Sequence, residues 1–531
     1  MFSEKINLLR QKYNLSQEKF AEKLNVSRQA VQRWENSTTY PDIDNMINIA
    51  KCFDVSLDWL MDLPDKRPTE SLRRQEGPVP LYERLGIWES YAPDLMVDYI
   101  QALDEGRDVA NLRDLVEAAS KMPNGKEKEQ IADTLYYMML RAPARPDYPY
   151  REPDDLASIR LLRANPADLS EKALPDSDTL RDKLTGAWRG RICGCMLGQP
   201  IECIKTNELY PLLQRSGNWP LHRYIVSSDV ADPFYDSFDF PLKSRTYPDQ
   251  LKTGFPGDDD TNYTIMAGFI VDQYGRDFTS DDVCSWWKVN QTMYCYCTAE
   301  KVTYRNAIAG YFPPDTALYK NPYREWIGAQ IRGDYFGYIN PGDPETAADM
   351  AWRDARISHV KNGIYGEIYV AAMIAGAAVL DTPAEIVRCG MSQIPATSRL
   401  YERLNAVCEW YEAGKSYDDL VDEWHKRYDE FKPHDAVHTI SNAEIVTAAL
   451  LYGEGDYSRS ICLSVQPGYD TDCNGATVGS VIGMLHGTAC IGREWTDPIG
   501  DQVNVFFKHP AIKTDEFVNM MLRHIELKDK N

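Results

Sequence analysis

Apolar residues recur every three to four positions along most of this chain, the spacing of helices that bury one face. Near the N-terminus, Phe20, Ala21 and Leu24 fall on one such face, and Ala30, Val31 and Trp34 on the next. Residues 63–180 read differently. They open polar ("LPDKRPTESLRRQEGP") and pass through helical stretches ("YAPDLMVDYIQALDEG", "KEKEQIADTLYYMMLRA"). They end in a proline-rich run ("RAPARPDYPYREPDD"). From about 181 to 527 the pattern is long, Ala/Gly-rich helix with aromatic and acidic loops between. Alternating strand patterns are scarce, and no repeat of fixed period is visible. The pattern predicts a mostly all-α chain in three regions: 1–62, a helical bridge and Pro-rich linker at 63–180, and a large helical domain at 181–527.

Size and charge sharpen this picture. A chain of 531 residues with 43% hydrophobic positions is globular and long enough for two or three domains. A net charge of −22 excludes a generic nucleic-acid or membrane binder, so any DNA contact must be local. No basic-plus-apolar leader opens the sequence. The longest apolar run, ending at Leu380, is too short to span a bilayer and reads as a buried helix. Twelve cysteines without a C-x-x-C pair predict reduced thiols, and a cytoplasmic protein that does not enter membranes.

The stretch "NLSQEKFAEKLNVSRQAVQRWENSTTYPD" predicts two short helices joined by a tight turn, capped by Ser16 and Ser27 and closed by Pro41. The second helix turns Arg28, Gln29, Gln32 and Arg33 outward, side chains suited to base edges and phosphates. A small helical packing module is the plain alternative, since residues 1–62 hold eight Lys/Arg against nine Asp/Glu. The segment resembles the XRE-type helix-turn-helix family over about 56 residues. It shares the S-Q-x-x-x-A core at Ser16, Gln17 and Ala21, "VS" at Val26–Ser27 and "WEN" at Trp34–Asn36. The resemblance implies DNA binding, with Gln17 among the contacts, and a homodimer on a palindromic operator.

Two acidic loops carry the candidate chemistry. "PGYDTDCNG" opens like a calcium loop, but an EF-hand needs a bidentate Glu at position twelve, where this chain has Val481. Far upstream, "FPGDDDTNY" is also a Pro-Gly entry into a helix, with Asp258, Asp259 and Asp260. Each alone reads as a solvated helix start, since the helix dipole favours carboxylates there. Together they predict one metal site, because buried like charges need a counter-ion. After the second loop Ala476, Gly479, Gly483 and Gly487 form a small-residue stripe that lets another helix approach closely.

Four motifs in order resemble the ADP-ribosylglycohydrolase family: "LTGAWRGRICGCMLGQPIE" (184–202), "GDDDT" (257–261), "ARISHVKNGIYGEIYVAAM" (355–373) and "GYDTDCNGATVG" (468–479). The resemblance implies a mostly α-helical domain holding two Mg²⁺ or Mn²⁺ ions. By position the metal candidates are Asp258, Asp259, Asp260, Asp470, Asp472 and Cys473. Three positions depart from the family. Asp258 replaces the usual Thr, Cys473 follows Asp472 where Thr or Ser is common, and Cys195 stands where Asp is common. Thiolate prefers softer metals than Mg²⁺.

The family reaction breaks an N- or O-glycosidic bond of an ADP-ribosylated or related ribosylated substrate. The positive charge that develops on the sugar suits nearby carboxylates. Glu202 and Asp259 are the catalytic candidates, Glu202 as general acid/base or as a helix-end surface residue. Glu367 is a rival for that role or a substrate contact. His359 is a substrate contact or a buried hydrogen-bonded histidine. Asn442 binds a ribose hydroxyl or caps a helix. Three whole-chain readings follow: a metal-dependent glycosidic hydrolase carrying a DNA-binding domain, a transcription regulator whose hydrolase-like domain senses a ribosylated ligand with little turnover, and a metal phosphohydrolase.

Overall fold

The computed structural model describes residues 2–55, 57–60 and 80–530. It divides between Tyr82 and Glu83 into two compact units. Both are helical; the strands among the described residues are the short antiparallel pair Gln502–Val503 and Ile512–Lys513. Residues 61–79, which include the opening of the bridge predicted at 63–180, lie outside the described residues. No helix among them is long and apolar enough to cross a membrane.

In the smaller unit, helices Phe2–Lys12, Gln17–Lys23, Arg28–Glu35 and Ile43–Phe53 surround a core containing Ile6, Phe20, Val31 and Trp34. Both predicted caps form. Ser16 Oγ accepts from the Lys19 backbone N–H at 3.2 Å and Ser27 Oγ from Ala30 at 3.1 Å, satisfying orphan donors at each helix start. Past Pro41 the unit continues, because Asp42 caps the next helix by accepting from Asn45 N–H. That helix delivers Phe53, whose ring stacks on Phe20 at 4.7 Å.

The larger unit is organised around helices with no polar face. Lys361–Ala377 is buried at every position from Asn362 onward, as expected for the run "GIYGEIYVAAMIAGA", which is apolar or small nearly all round. Helices Ser177–Gly198 and Thr471–His486 pack backbone to backbone. Gly186, Gly190, Gly194 and Gly198 recur every four residues and meet Gly483, Gly479, Gly475 and Thr471 in turn. A Cβ on Gly194 would sit 2.0 Å from the Gly475 carbonyl oxygen, and one on Gly198 would sit 2.3 Å from the Asp472 nitrogen. The glycines therefore set how closely the end of the first helix approaches the second acidic loop. Gly475, rather than Ala476, completes the stripe expected from the sequence.

Helices Leu95–Asp104, Arg113–Ser120 and Lys126–Arg141 form their own apolar cluster within this unit. Buried ion pairs tie it to the rest. Arg324 reaches Asp98 and Glu105, both at 2.6 Å, and Gln101 Nε2 donates to Glu325 at 2.6 Å.

Candidate metal centre

Both acidic loops enter helices through strained, glycine-dependent turns. Gly257, at φ +92°, lies so close to the Asn504 carbonyl that a Cβ would approach it to 2.6 Å; only glycine accepts both conditions. Asp258 then caps helix Asp259–Tyr274, its Oδ1 accepting from the Asp260 N–H at 3.1 Å. On the other side, Gly468 and Tyr469 both take positive φ before Asp470 and helix Thr471–His486. Asn442 braces this turn. Its Oδ1 accepts from the Asp470 backbone N–H (3.2 Å) and from Asn474 Nδ2 (2.8 Å).

The two loops converge. One carboxylate oxygen from each of Asp258, Asp259, Asp260 and Asp472 lies within 4.8 Å of all the others. Asp260 and Asp472 are 0% and 2% exposed, so the solvated-loop reading of the sequence does not describe them. Burial first, then the neighbouring carboxylates, pushes Asp259 and Asp472 well above the usual carboxylate range. Asp470 stands beside this set; burial raises it, and Asp258 adds to the effect. Asp260 Oδ2 and Asp472 Oδ1 are buried without a hydrogen-bond partner. Clustered oxygens with unsatisfied lone pairs fit a divalent cation, whose charge would relieve the repulsion.

One cation is built in. Arg191, fully buried, lies 2.9 Å from Asp260 and 2.9 Å from Asp334, and donates to the Asp260 and Ile331 carbonyls. Two thiols flank the same carboxylates. Cys195 Sγ groups with Asp258 and Asp260, and Cys473 Sγ with Asp260 and Asp472. Burial and the surrounding acids raise both thiols far above their ordinary range.

A cleft of about 430 Å³ opens onto the cluster, lined by Gln199, Glu202, Arg245, Asp258, Asp259, Cys297, Asp472 and Phe506 among others. Gln199 Nε2 donates to Asp258 Oδ2 at 2.7 Å. Glu202, its side chain 43% exposed, faces Arg245 at 3.9 Å. Desolvation in the cleft, with Asp470 and Asp258 nearby, pushes Glu202 up to about 7 against the pull of Arg245. A carboxyl poised there can give or take a proton at neutral pH. A larger groove, about 780 Å³, lies on helices Arg113–Ser120 and Lys126–Arg141, but its lining is mainly apolar.

The remaining candidates do not line the cleft. His359 and Glu367 belong to a buried network around Arg332, which reaches Glu300 at 2.6 Å, Asp354 at 2.5 Å and Glu367 at 3.5 Å. His359 Nδ1 pairs with Ser358 Oγ at 2.8 Å, and burial followed by Arg332 holds its ring neutral. Asn442 is fully buried, and the cap of its helix, Thr439–Gly453, is His438. In the smaller unit Arg28, Gln29, Gln32 and Arg33 are exposed, Arg28 pairing with Glu18 at 3.1 Å. Gln17 is half-buried, its Nε2 donating to Glu35 Oε2 at 2.5 Å.

Sequence reasoning missed Arg191, Gln199 and Arg245. The one usable signal was Arg191 itself, a charge embedded in the glycine-spaced run "GAWRGRICGCMLG", where a long cation needs a buried partner.

Residues 176–522 match the family model described as ADP-ribosylglycohydrolase, and residues 6–60 match a helix-turn-helix model. The N-terminal segment is 43% identical over 60 residues to the HTH-type transcriptional activator BcrR of Enterococcus faecalis, covering 11% of this chain and 29% of that protein. It is 39% identical over 61 residues to the HTH-type transcriptional regulator YqaE of Bacillus subtilis, covering 12% and 53%. The chain thus spans about half or less of either relative. A solved structure titled ADP-ribosylglycohydrolase-related protein complex aligns with 66% of this chain and 99% of its own, at 17% identity and a TM-score of 0.41.

Proposed function

Because this chain belongs to the ADP-ribosylglycohydrolase family, we propose that its larger unit is a divalent-metal-dependent hydrolase of ADP-ribosyl or related ribosyl glycosidic bonds. The observation that carries the reading is the meeting of Asp258, Asp259 and Asp260 with Asp472. More than 200 positions separate the first three from Asp472 in sequence, yet the four cluster together, and Asp258, Asp259 and Asp472 line one cleft with Glu202, whose carboxyl is raised to about 7.

Asp258, Asp259, Asp260 and Asp472, with Asp470 beside them, would hold the cations, Mg²⁺ or Mn²⁺ by family resemblance. Bound there, such ions acidify water and polarise sugar hydroxyls. The chain's own groups do the rest. Glu202, at the cleft mouth, moves the proton to or from the departing group. The carboxylates offset the positive charge that develops on the ribose ring. Arg245, 3.9 Å from Glu202, supplies a cation for a phosphate of the substrate. Gln199 fixes Asp258, and Asn442 fixes the backbone of Asp470.

The smaller unit binds DNA through Arg28, Gln29, Gln32 and Arg33, with Gln17 positioned beside them by Glu35. Its match to helix-turn-helix regulators supports a second role for the chain in transcription.

The test is a panel of ADP-ribosyl-arginine, a nucleoside analogue and a phosphate ester, each assayed with Mg²⁺, Mn²⁺ or chelator. Release of ADP-ribose or free base that requires metal, and that Asp259→Ala or Asp472→Ala abolishes, is expected. Release of inorganic phosphate alone replaces this reading with a phosphohydrolase. Tight binding without turnover, with altered DNA affinity, replaces it with a ligand sensor.

A further inference from the structure

We propose that the metal centre takes thiophilic dications, Zn²⁺ foremost, one beside Cys195, Asp258 and Asp260 and one beside Asp260, Asp472 and Cys473. The proposal rests on the metal-hydrolase reading and specifies which ion that site selects.

The geometry is two overlapping triads. Cys195 Sγ, Asp258 and Asp260 have donor atoms within 4.8 Å of one another, and so do Asp260, Asp472 and Cys473 Sγ. Each triad offers one sulfur and two oxygens, and Asp260 belongs to both. All five side chains are buried. Two of the oxygens, Asp260 Oδ2 and Asp472 Oδ1, have no hydrogen-bond partner. Buried acceptors without a partner in the fold point to a bound ligand that completes them.

The sulfurs are held in place by backbone packing. Cys195 follows Gly194, and Cys473 precedes Gly475 by two residues; Gly194 and Gly475 are in backbone contact. A buried cysteine is most often a small hydrophobe. These two, however, face a cluster of carboxylates, where an apolar filler gains nothing.

Three protein donors with one open position describe a catalytic zinc site. Tetrahedral bonds of roughly 2.0–2.3 Å separate ligand atoms by about 3.3–3.8 Å, so triads whose donors lie within 4.8 Å need contract by at most about 1–1.5 Å. Mg²⁺ asks for near-octahedral oxygen coordination; Asp258, Asp259, Asp260 and Asp472 offer it oxygens, whereas each triad adds a sulfur to the donor set. Thiolate ligands select softer ions. Each ligating thiol exchanges its S–H bond for a sulfur–metal bond and releases one proton to solvent, with no change of oxidation state.

The experiment strips the full chain with chelator and titrates it with Co²⁺, Zn²⁺, Mn²⁺ and Mg²⁺. Expected are a sulfur-to-cobalt charge-transfer band in the near ultraviolet, its displacement by Zn²⁺ but not by Mg²⁺, and its reduction in Cys195→Ser and Cys473→Ser. Loss of an outer-sphere partner already weakens metal binding by about 10–100-fold, so each variant should weaken Zn²⁺ at least that much while sparing Mn²⁺. X-ray absorption at the zinc edge of the unaltered chain reads the same point without relying on variants that fold; sulfur at about 2.3 Å is expected. Oxygen and nitrogen scatterers alone, with no charge-transfer band, overturn the sulfur assignment and leave the hydrolase reading standing if Mg²⁺ or Mn²⁺ drives turnover. Failure to bind any dication overturns both.

Discussion

Arg191 and Asp260 meet in the interior of the larger unit, 2.9 Å apart, with neither side chain reaching solvent. The same guanidinium lies 2.9 Å from Asp334. It therefore offsets one of the carboxylates crowded at the cleft while leaving Asp260 Oδ2 unpartnered. Replacing it with an apolar residue leaves two buried carboxylates without a counter-charge, a loss of about 3–5 kcal/mol for pairs of this kind. Arg191→Met should lower stability by that order in denaturant unfolding. It should also tighten divalent-metal binding, because a fixed positive charge has left the site. A variant as stable as the parent, with unchanged metal affinity, would contradict the role given to Arg191.

Gly198 makes a second prediction. A Cβ there would lie 2.2 Å from the Thr471 carbonyl carbon, so Gly198→Ala must push the helices apart next to Asp472. Overpacking of this kind costs about 1–3 kcal/mol. The outcome expected is weakened metal binding by calorimetry, with DNA binding by the smaller unit unaffected.

The pH dependence of stability follows from Glu325. It is fully buried and accepts from Arg399 Nη2 at 2.7 and 2.8 Å, Gln101 at 2.6 Å and Asn362 Nδ2 at 2.8 Å. Burial alone would raise it, but Arg399, His438 and Lys361 together outweigh burial and hold it at about 2. Its folded value thus lies below the unfolded value of about 4.3. The unfolded state binds the proton first, so the stabilisation is complete above that value and lost as pH falls towards 2. The Glu325 contribution, read as the difference in urea midpoint between the parent and Glu325→Gln, should be level from neutral to about pH 5 and shrink below about pH 4. Arg399 also lies 2.8 Å from Glu152, so Arg399→Ala should invert the trend: at neutral pH it leaves both carboxylates without their guanidinium, and mild acid restores part of the loss.

In the smaller unit, the exposed residues separate from the structural one. Arg28→Ala and Arg33→Ala should weaken DNA binding and reduce its salt dependence by about one ion each if they touch phosphate, whereas Gln32→Ala should relax base preference. Gln17→Ala should also lower the unit's thermal stability, since Gln17 Nε2 is bonded to the Glu35 carboxylate that Arg10 holds at 2.5 Å. Gel-shift titrations at several salt concentrations, with melting curves alongside, distinguish these effects.

Much of the molecule was legible in the sequence because the information is local. Helical periodicity, the Ser16 and Ser27 caps, the Pro-Gly entries to both acidic loops and the glycine spacing of four are each written within a few residues. The missing acid at Val481 excludes an EF-hand without any structure. What the sequence could not state is which charges face one another. His359 and Glu367 lie in a motif that resembles the family, yet they belong to the Arg332 network rather than the cleft lining. Arg191, Asp260 and Asp334 are separated by more than 60 positions, and only the packing of helices Ser177–Gly198, Asp259–Tyr274 and Asp334–Tyr338 brings them together. Local sequence determined the helices and their caps, since these depend on backbone hydrogen bonds between near neighbours. The pairing of the two acidic loops was already an expectation from the sequence, but tertiary structure alone decided their partners, Arg191 and Gln199, because groups from distant segments meet only when the chain is folded.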